Sequence, residues 1–221
     1  MKTTIITGHS RGIGKAIAQD LSDLNHNFIF LSSKQADFED YYDVYCLVKE
    51  QLQNSKSTQI NIILCAAQIG DGGSILNLTE CEKLYKINVL GNLAVIKAAS
   101  TLKVKMRIVW FAGGGAAFPM PEFMGYALSK VATVRAVENL SLTLKDTCII
   151  ALAPGAVDTD MLKKTIEAGC TVRTKTDISE PVAFVRKFLL DESIKFNGMF
   201  LHVRDTLNIE GKNIFKLRRT E

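Results

Sequence analysis

Short β-type runs alternate with longer helical patterns along the whole chain, and this alternation limits the fold more than any other feature. Strand-like runs lie at Thr3–Thr7, Asn27–Leu31, Tyr41–Val44, Asn61–Cys65, Arg107–Phe111, Cys148–Ala153 and Met199–Val203. Helical patterns fill Arg11–Leu24, Tyr45–Gln53, Thr79–Ser100, Gly125–Leu144, Thr159–Ala168 and Ser179–Leu190. Strands that alternate with helices build parallel sheets covered on both faces. Right-handed crossovers wind these elements into a doubly wound α/β sheet of about seven strands. The ligand of such a sheet lies at the carboxyl ends of the strands, where strand order reverses. One interval departs from the pattern: only eight residues separate Lys34 from Asp43. A helical crossover takes about a dozen or more. The spacing therefore predicts that the crossover helix after the second strand is missing or reduced to a turn, and that the third strand is short or poorly formed.

With 221 residues the chain has the length of one domain, 1–221, and its 47% hydrophobic and 23% charged residues are those of a soluble globular protein. No apolar run reaches the roughly 18–20 residues that span a bilayer, so no membrane partner is expected. The start, Met1 to Gly8, runs straight into glycines and does not read as a signal peptide. Cysteines 46, 65, 81, 148 and 170 lie far apart, with no C-x-x-C and no nearby histidine cluster. That pattern fits reduced thiols in a cytoplasmic protein, with no disulfide frame and no metal site. The net charge of +4 is spread out, and the basic tail Lys212–Arg219 reads as a solvated terminus, not a nucleic-acid contact.

The first strand leads into Thr7-Gly8-His9-Ser10-Arg11-Gly12-Ile13-Gly14 and then a helix. Glycines at 8, 12 and 14 permit a tight turn and let backbone approach a phosphate, while the helix N-terminus offers free N–H groups and a positive dipole end. This is a G-x-x-x-G-x-G variant of a dinucleotide fingerprint, with Gly8, Ser10, Arg11, Gly12, Ile13 and Gly14 as candidate cofactor contacts. A dinucleotide carrying a free ribose hydroxyl is usually met by a carboxylate after the second strand. Here the strand ends Leu31-Ser32-Ser33-Lys34. Ser32, Ser33 and Lys34, with Arg11 in reach, suit a 2′-phosphate, so the expected cofactor is NADP(H). A second local signal is Tyr126 with Lys130 four residues on, one turn apart on one helix face. A cation beside a tyrosine favours the phenolate and lowers its pKa, which makes the pair a candidate acid/base.

Together these pieces resemble the short-chain dehydrogenase/reductase family across nearly the whole chain. Thr7–Gly14 fits its T-G-x-x-x-G-x-G loop, Asp43-Val44 its D-V, Asn88 in Lys86–Gly91 its helix asparagine, Tyr126 and Lys130 its Y-x-x-x-K, and Pro154-Gly155 with Asp158-Thr159 its P-G and threonine. The resemblance implies a Rossmann-type fold and hydride transfer between a nicotinamide and a carbonyl or alcohol. It implies that Tyr126 exchanges a proton with the substrate oxygen, and that Lys130 lowers the Tyr126 pKa and holds the nicotinamide ribose. Asn88 is implied to hold a proton-relay water. Asp43 and Val44 are implied to contact adenine, Ala66 and Ala67 to line its ribose, and Pro154, Gly155, Val157 and Thr159 to fix the carboxamide. Thr159 also suits a helix N-cap. A short substrate lid is implied near 159–178. The helices Thr79–Ser100 and Gly125–Leu144 carry more apolar positions than one core needs, and in the family such helices pair in homodimers or homotetramers.

Two departures bear on chemistry. The family's N-N-A-G is replaced by Cys65-Ala66-Ala67-Gln68, which removes an asparagine hydrogen bond to a neighbouring strand. The family's catalytic serine lies about 13 residues before the tyrosine, which is Gly113 here, in Phe111-Ala-Gly-Gly-Gly-Ala116. Loss of one such donor costs about 10²–10³ in rate. Backbone N–H groups at Gly113 and Gly114 either replace it or form a turn with no donor role. Two readings follow: an NADPH-dependent carbonyl reductase, or an NADP-binding sensor or partner subunit that kept the fold and lost catalysis.

Overall fold

The computed structural model describes residues 1–73, 77–172 and 175–205. Along the chain run β1 (Lys2–Thr7), α1 (Gly12–Asp20), β2 (His26–Leu31), α2 (Tyr41–Leu52), β3 (Gln59–Leu64), α3 (Leu78–Tyr85), α4 (Gly91–Ser100) and β4 (Lys105–Phe111). Then follow α5 (Met124–Thr143), β5 (Thr147–Ala153), β6 (Ala156–Val157), α6 (Asp160–Glu167), β7 (Lys175–Thr176), α7 (Ser179–Leu190) and β8 (Met199–His202). Six strands form one parallel sheet in the order β2-β1-β3-β4-β5-β8, and β6 pairs with β7 beside it. The expected α/β Rossmann-type architecture is thus present, with six strands in the main sheet.

The period-2 alternation of strands divides the core. Ile5, Ile62 and Ile108 face α2, α4 and α5, whereas Ile6, Ile63, Val109 and Ile150 face α1 and α7. Every residue of β3 is buried, as expected for a central parallel strand. Each fully buried Ile or Leu contributes about 1.5–3 kcal/mol. Strand order reverses between β1 and β3, whose carboxyl ends at Thr7 and Leu64 lie side by side.

The strand expected at Tyr41–Val44 does not form; those residues open α2. The Asp40 carboxylate accepts from the N–H groups of Tyr42 and Asp43 and caps the helix. Val44, Val48 and Leu52 then recur at intervals of four and are buried, a helical period that outweighs a four-residue β-type run. Segment 32–40 forms neither helix nor strand, so the chain passes from β2 straight into α2: one helix and the third strand of the expected order are absent, in keeping with the short interval, and α2 itself makes the crossover to β3. The adenine-contact assignment of Asp43-Val44 is corrected accordingly: Val44 lies fully buried in the core and Asp43 points outward from α2.

One buried cation is structural. Arg107 on β4 is 1% exposed. Its Nε donates to the Phe188 carbonyl at 2.9 Å, and Nη2 donates to the Asp191 and Ile194 carbonyls at 3.2 Å. The guanidinium lies 4.6 Å from the Phe188 ring centroid. It therefore closes the C-terminus of α7, where orphan carbonyls and the negative dipole end favour a cation.

Candidate active site

A cleft of about 1450 Å³ opens at the carboxyl ends of β1 and β3, the position where a doubly wound sheet binds ligands. One end is the turn Gly8–Gly14. Gly8 has φ of +68°, and a Cβ there would meet Ala66 N and the Cys65 carbonyl carbon at 2.8 Å, so only glycine fits. Arg11 is the N-cap of α1 but gives no side-chain cap, which leaves the first N–H groups of this nine-residue helix to face the cleft. A tight cradle with uncapped N–H groups fits a pyrophosphate. Gly8, Ser10, Arg11, Gly12, Ile13 and Gly14 all line the cleft, as do Ser32 and Ser33, whereas Lys34 does not. Asp37 and Phe38 line it instead of Asp43 and Val44. Their sequence signal was the Asp-aromatic pair just before a capped helix, masked by the more familiar Asp-Val six residues on. His9 shapes the turn: its ring packs 5.2 Å from Phe30, and its Nδ1 is buried with no partner among the described residues.

At the other end, Tyr126 and Lys130 lie on α5, 8% and 3% exposed. Lys130 Nζ donates to the Phe111 carbonyl at 2.9 Å and sits 5.4 Å from the Tyr126 ring centroid. Burial pushes the Tyr126 phenol up to about 12 and the Lys130 ammonium down to about 8. The expected lowering of the tyrosine by its lysine is therefore not seen: desolvation dominates, and Nζ is aimed at a carbonyl. The linkage has a defined sign. Between about 8 and the free value of 10.5 the unfolded chain holds a proton on Lys130 that the folded one lacks, so stability rises with pH there. Between 10.0 and about 12 the folded state holds the extra proton, on Tyr126, so stability falls. Lys130→Met is expected to remove the first effect and to raise Tm by about 5 °C, because an unpaired buried charge is replaced by a fitting apolar chain. Calorimetry from pH 7 to 10 measures both.

Asn88 is fully buried in a π turn, Lys86–Leu90, that joins α3 to α4. Its Oδ1 accepts from Gln68 N at 2.8 Å, and its Nδ2 donates to Gln68 O and Ser129 Oγ, both at 2.9 Å. It thus clamps the segment after β3 to α5. Asn92, one turn on, was not singled out from the sequence. Its Nδ2 donates to Ala66 O at 3.0 Å, and its Oδ1 accepts from Thr7 Oγ1, which in turn accepts from Ala66 N at 3.0 Å. This network ties β1, β3 and α4 together where the Cys65-Ala66-Ala67-Gln68 segment lacks asparagine. The signal was Asn88 and Asn92 spaced four apart on one helix. Cys65, Ala66 and Ala67 line the cleft, and burial pushes the Cys65 thiol far up, so it stays protonated.

Gly113 is buried beside Tyr126: a Cβ on it would stand 3.0 Å from Tyr126 Oη. Gly114 is exposed with open space around it and does not approach the pair. On the lid side, Thr159 caps α6, accepting from Leu162 N at 3.4 Å, and lines the cleft with Pro154. Gly155 and Val157 lie behind them, Gly155 against Thr176 and Val157 buried with its carbonyl accepting from Thr159 Oγ1. Lys164 on α6 reaches across to Asp71, Nζ to Oδ1 2.9 Å. Residues 173 and 174 of the expected lid lie outside the described residues, as does the tail Lys212–Arg219.

The sequence model of the short chain dehydrogenase family matches residues 32–169. The chain belongs to the short-chain dehydrogenase family. Its relatives include a 3-oxoacyl-[acyl-carrier-protein] reductase of Rickettsia prowazekii, 26% identical over 234 aligned positions covering 91% of this chain and 95% of that one. A reductase of the same description from Mycobacterium tuberculosis is 22% identical, covering 73% of this chain and 72% of that one. NAD⁺-bound xylitol dehydrogenase superposes with a TM-score of 0.79 at 21% identity, covering 91% and 96% of the two chains. A short chain dehydrogenase of Shigella flexneri in complex with NADP gives 0.79 at 17% identity, over 92% and 97%. Short-chain dehydrogenases are oxidoreductases that transfer hydride with a nicotinamide cofactor, and this member has the fold of that family. No helix among the described residues is long and apolar enough to cross a membrane.

Proposed function

We propose that the protein is an NADP(H)-dependent oxidoreductase acting on a carbonyl or alcohol, with Tyr126 as its acid/base. The observation that carries this reading is the placement of Tyr126 and Lys130, both buried, in the same cleft as the Gly8–Gly14 cradle. The nicotinamide, when bound, supplies or accepts the hydride. Tyr126 keeps its proton at neutral pH, since its phenol is pushed up to about 12, and is therefore poised to donate to a carbonyl oxygen. Lys130 steadies the charge that develops on Tyr126, and its value of about 8 lets it return a proton. Asn88 holds the Gln68 backbone in place. Thr159 and Pro154 line the same cleft as Lys130, and Gly155 and Val157 support them. Ala66 and Ala67 line the cleft as well. Ile69, Leu84 and Met161 surround Tyr126 with apolar surface, which suits a carbonyl flanked by apolar groups, as in an oxoacyl chain.

The NADP preference rests on Arg11, Ser32 and Ser33, with Lys34 next to them and no carboxylate at the end of β2. Arg11→Ala is expected to weaken NADPH about tenfold more than NADH, the loss of roughly one exposed charge-assisted contact. Fluorescence titration with both cofactors checks this. Equal affinity of the wild type for the two would remove the NADP assignment. A panel of carbonyl compounds, read by NADPH oxidation, tests the activity. Tight NADPH binding without turnover on any of them would favour the second reading, a cofactor-binding sensor or partner subunit.

That second reading draws on Gly113. Gly113→Ser places a hydroxyl beside Tyr126 Oη, but the φ of +131° favours glycine and costs a side chain about 1–3 kcal/mol. The expected result is a lower Tm together with a rise in kcat of about tenfold or more, within the range of one oxyanion donor. We further take 1–221 as one domain with a lid near 159–178, cytoplasmic, and assembled as a homodimer or homotetramer through α4 and α5. On α5, Leu128 and Val131 stay exposed, one turn apart.

A further inference from the structure

The absence of the third strand leaves β2 as an edge of the main sheet. Leu31 O accepts from Gly8 N at 2.7 Å, so Leu31, and by alternation Ile29 and Asn27, turn their backbone groups towards β1. His26, Phe28 and Phe30 turn theirs outward. The His26 N–H is taken by Leu24 O, whereas no hydrogen bond among the described residues reaches the backbone of Phe28 or Phe30 from outside the sheet. Their side chains lie on one face as a ladder: Phe28 and Phe30 stack with centroids 5.6 Å apart and planes 4° apart, His26 follows at 6.1 Å, and His9 caps the other end at 5.2 Å. Phe30 is 38% exposed. Folded proteins normally guard such an edge with lysine, proline, a bulge or a covering element. The strand His26-Asn-Phe-Ile-Phe-Leu31 has no proline and no lysine, arginine or carboxylate.

We propose that β2 is a self-association surface, on which a second copy of this chain pairs antiparallel about a two-fold axis at Phe28. The edge is self-complementary about that residue. Phe28 exchanges two backbone hydrogen bonds with its own copy, and the Phe30 N–H of each chain donates to the His26 carbonyl of the other. The two aromatic ladders meet on one face, Phe28 against Phe28 and Phe30 against His26, at the separation of directly paired strand residues. Nothing on the strand carries a full charge at neutral pH, so no like-charge repulsion opposes the two-fold contact. A closed, isologous pair of this kind joins two six-stranded sheets into one. A six-residue edge is at the small end of stable interfaces, so the association depends on protein concentration. This surface is separate from the α4 and α5 faces and does not depend on whether the protein turns over a substrate.

The test combines sedimentation equilibrium with amide hydrogen exchange over a wide range of protein concentration, on the wild type and on Phe30→Lys. The expected result is a concentration-dependent dimer in which amides of segment 26–31 exchange more slowly as dimer accumulates, and a dissociation constant raised at least tenfold by Phe30→Lys. A wild type that remains monomeric overturns the proposal. So does a dimer in which exchange in 26–31 is unchanged, the outcome for a contact made only by α4 and α5. The exchange measurement on the wild type decides the matter even if the variant folds poorly.

Discussion

Tyr126→Phe is expected to lower carbonyl reduction by about 10²–10⁴-fold, the range for loss of a positioned general acid, while NADPH affinity changes by less than twofold. The ring fills the same buried space against Ile69, Leu84 and Phe123, so Tm should stay within a few degrees of the wild type. Only the phenolic hydroxyl is lost, and Oη is the group nearest the side-chain position of Gly113. The pH profile gives an independent reading. In the reducing direction Tyr126 is already protonated across the neutral range, so its own titration does not limit the rate below about 12. The limb to be expected is a fall as pH rises through about 8, where Lys130 loses the charge that would steady a phenolate. Initial rates from pH 6 to 10 on a reducible carbonyl, with both proteins, measure this. A Tyr126→Phe protein that keeps the wild-type rate would remove tyrosine from the chemistry.

The largest effect on stability is expected at a site with no part in the reaction. Arg107→Ala removes three sets of charge-assisted bonds, to the carbonyls of Phe188, Asp191 and Ile194, and leaves those acceptors buried with a cavity beside them. Leaving buried acceptors unsatisfied and opening a large-to-small cavity together cost about 3–5 kcal/mol, which for a chain of this size lowers Tm by about 10–15 °C. Arg107→Lys keeps the charge but not the planar fork and should fall between. Urea unfolding at fixed pH measures both. If Arg107→Ala matched the wild type, the C-terminus of α7 would have to be closed by other groups.

What the sequence made legible follows the range over which each signal acts. The Gly8–Gly14 turn and the Tyr126–Lys130 spacing are local, and both arrive in the cleft. The short interval after Leu31 also reads correctly, because 32–40 is too short to hold a helix and a strand before α2. At Asp43-Val44 a two-residue motif is outweighed by a twelve-residue period: Val44, Val48 and Leu52, with Asp40 as cap, specify a helix. The Tyr126 pKa was read with the wrong sign because burial, which only tertiary structure reveals, outweighs a neighbouring cation whose Nζ is turned to the Phe111 carbonyl. Asn92 was missed because its partners, Thr7 and Ala66, are far away in sequence.

The π turn at Lys86–Leu90 has one more consequence. An α-helix advances about 100° per residue, so the extra residue of a π turn sets α3 and α4 out of phase with each other. Asn88 and Asn92 reach opposite flanks of the segment after β3, Gln68 and Ala66, while Val95, Ile96, Ala98 and Ala99 still face inward. The long helix thus keeps a reading frame, much as a strand keeps a register. Side-chain identity at 86–90 is only half of what that stretch encodes; the other half is its length, and a single deletion there would rotate every position downstream while leaving each residue type intact.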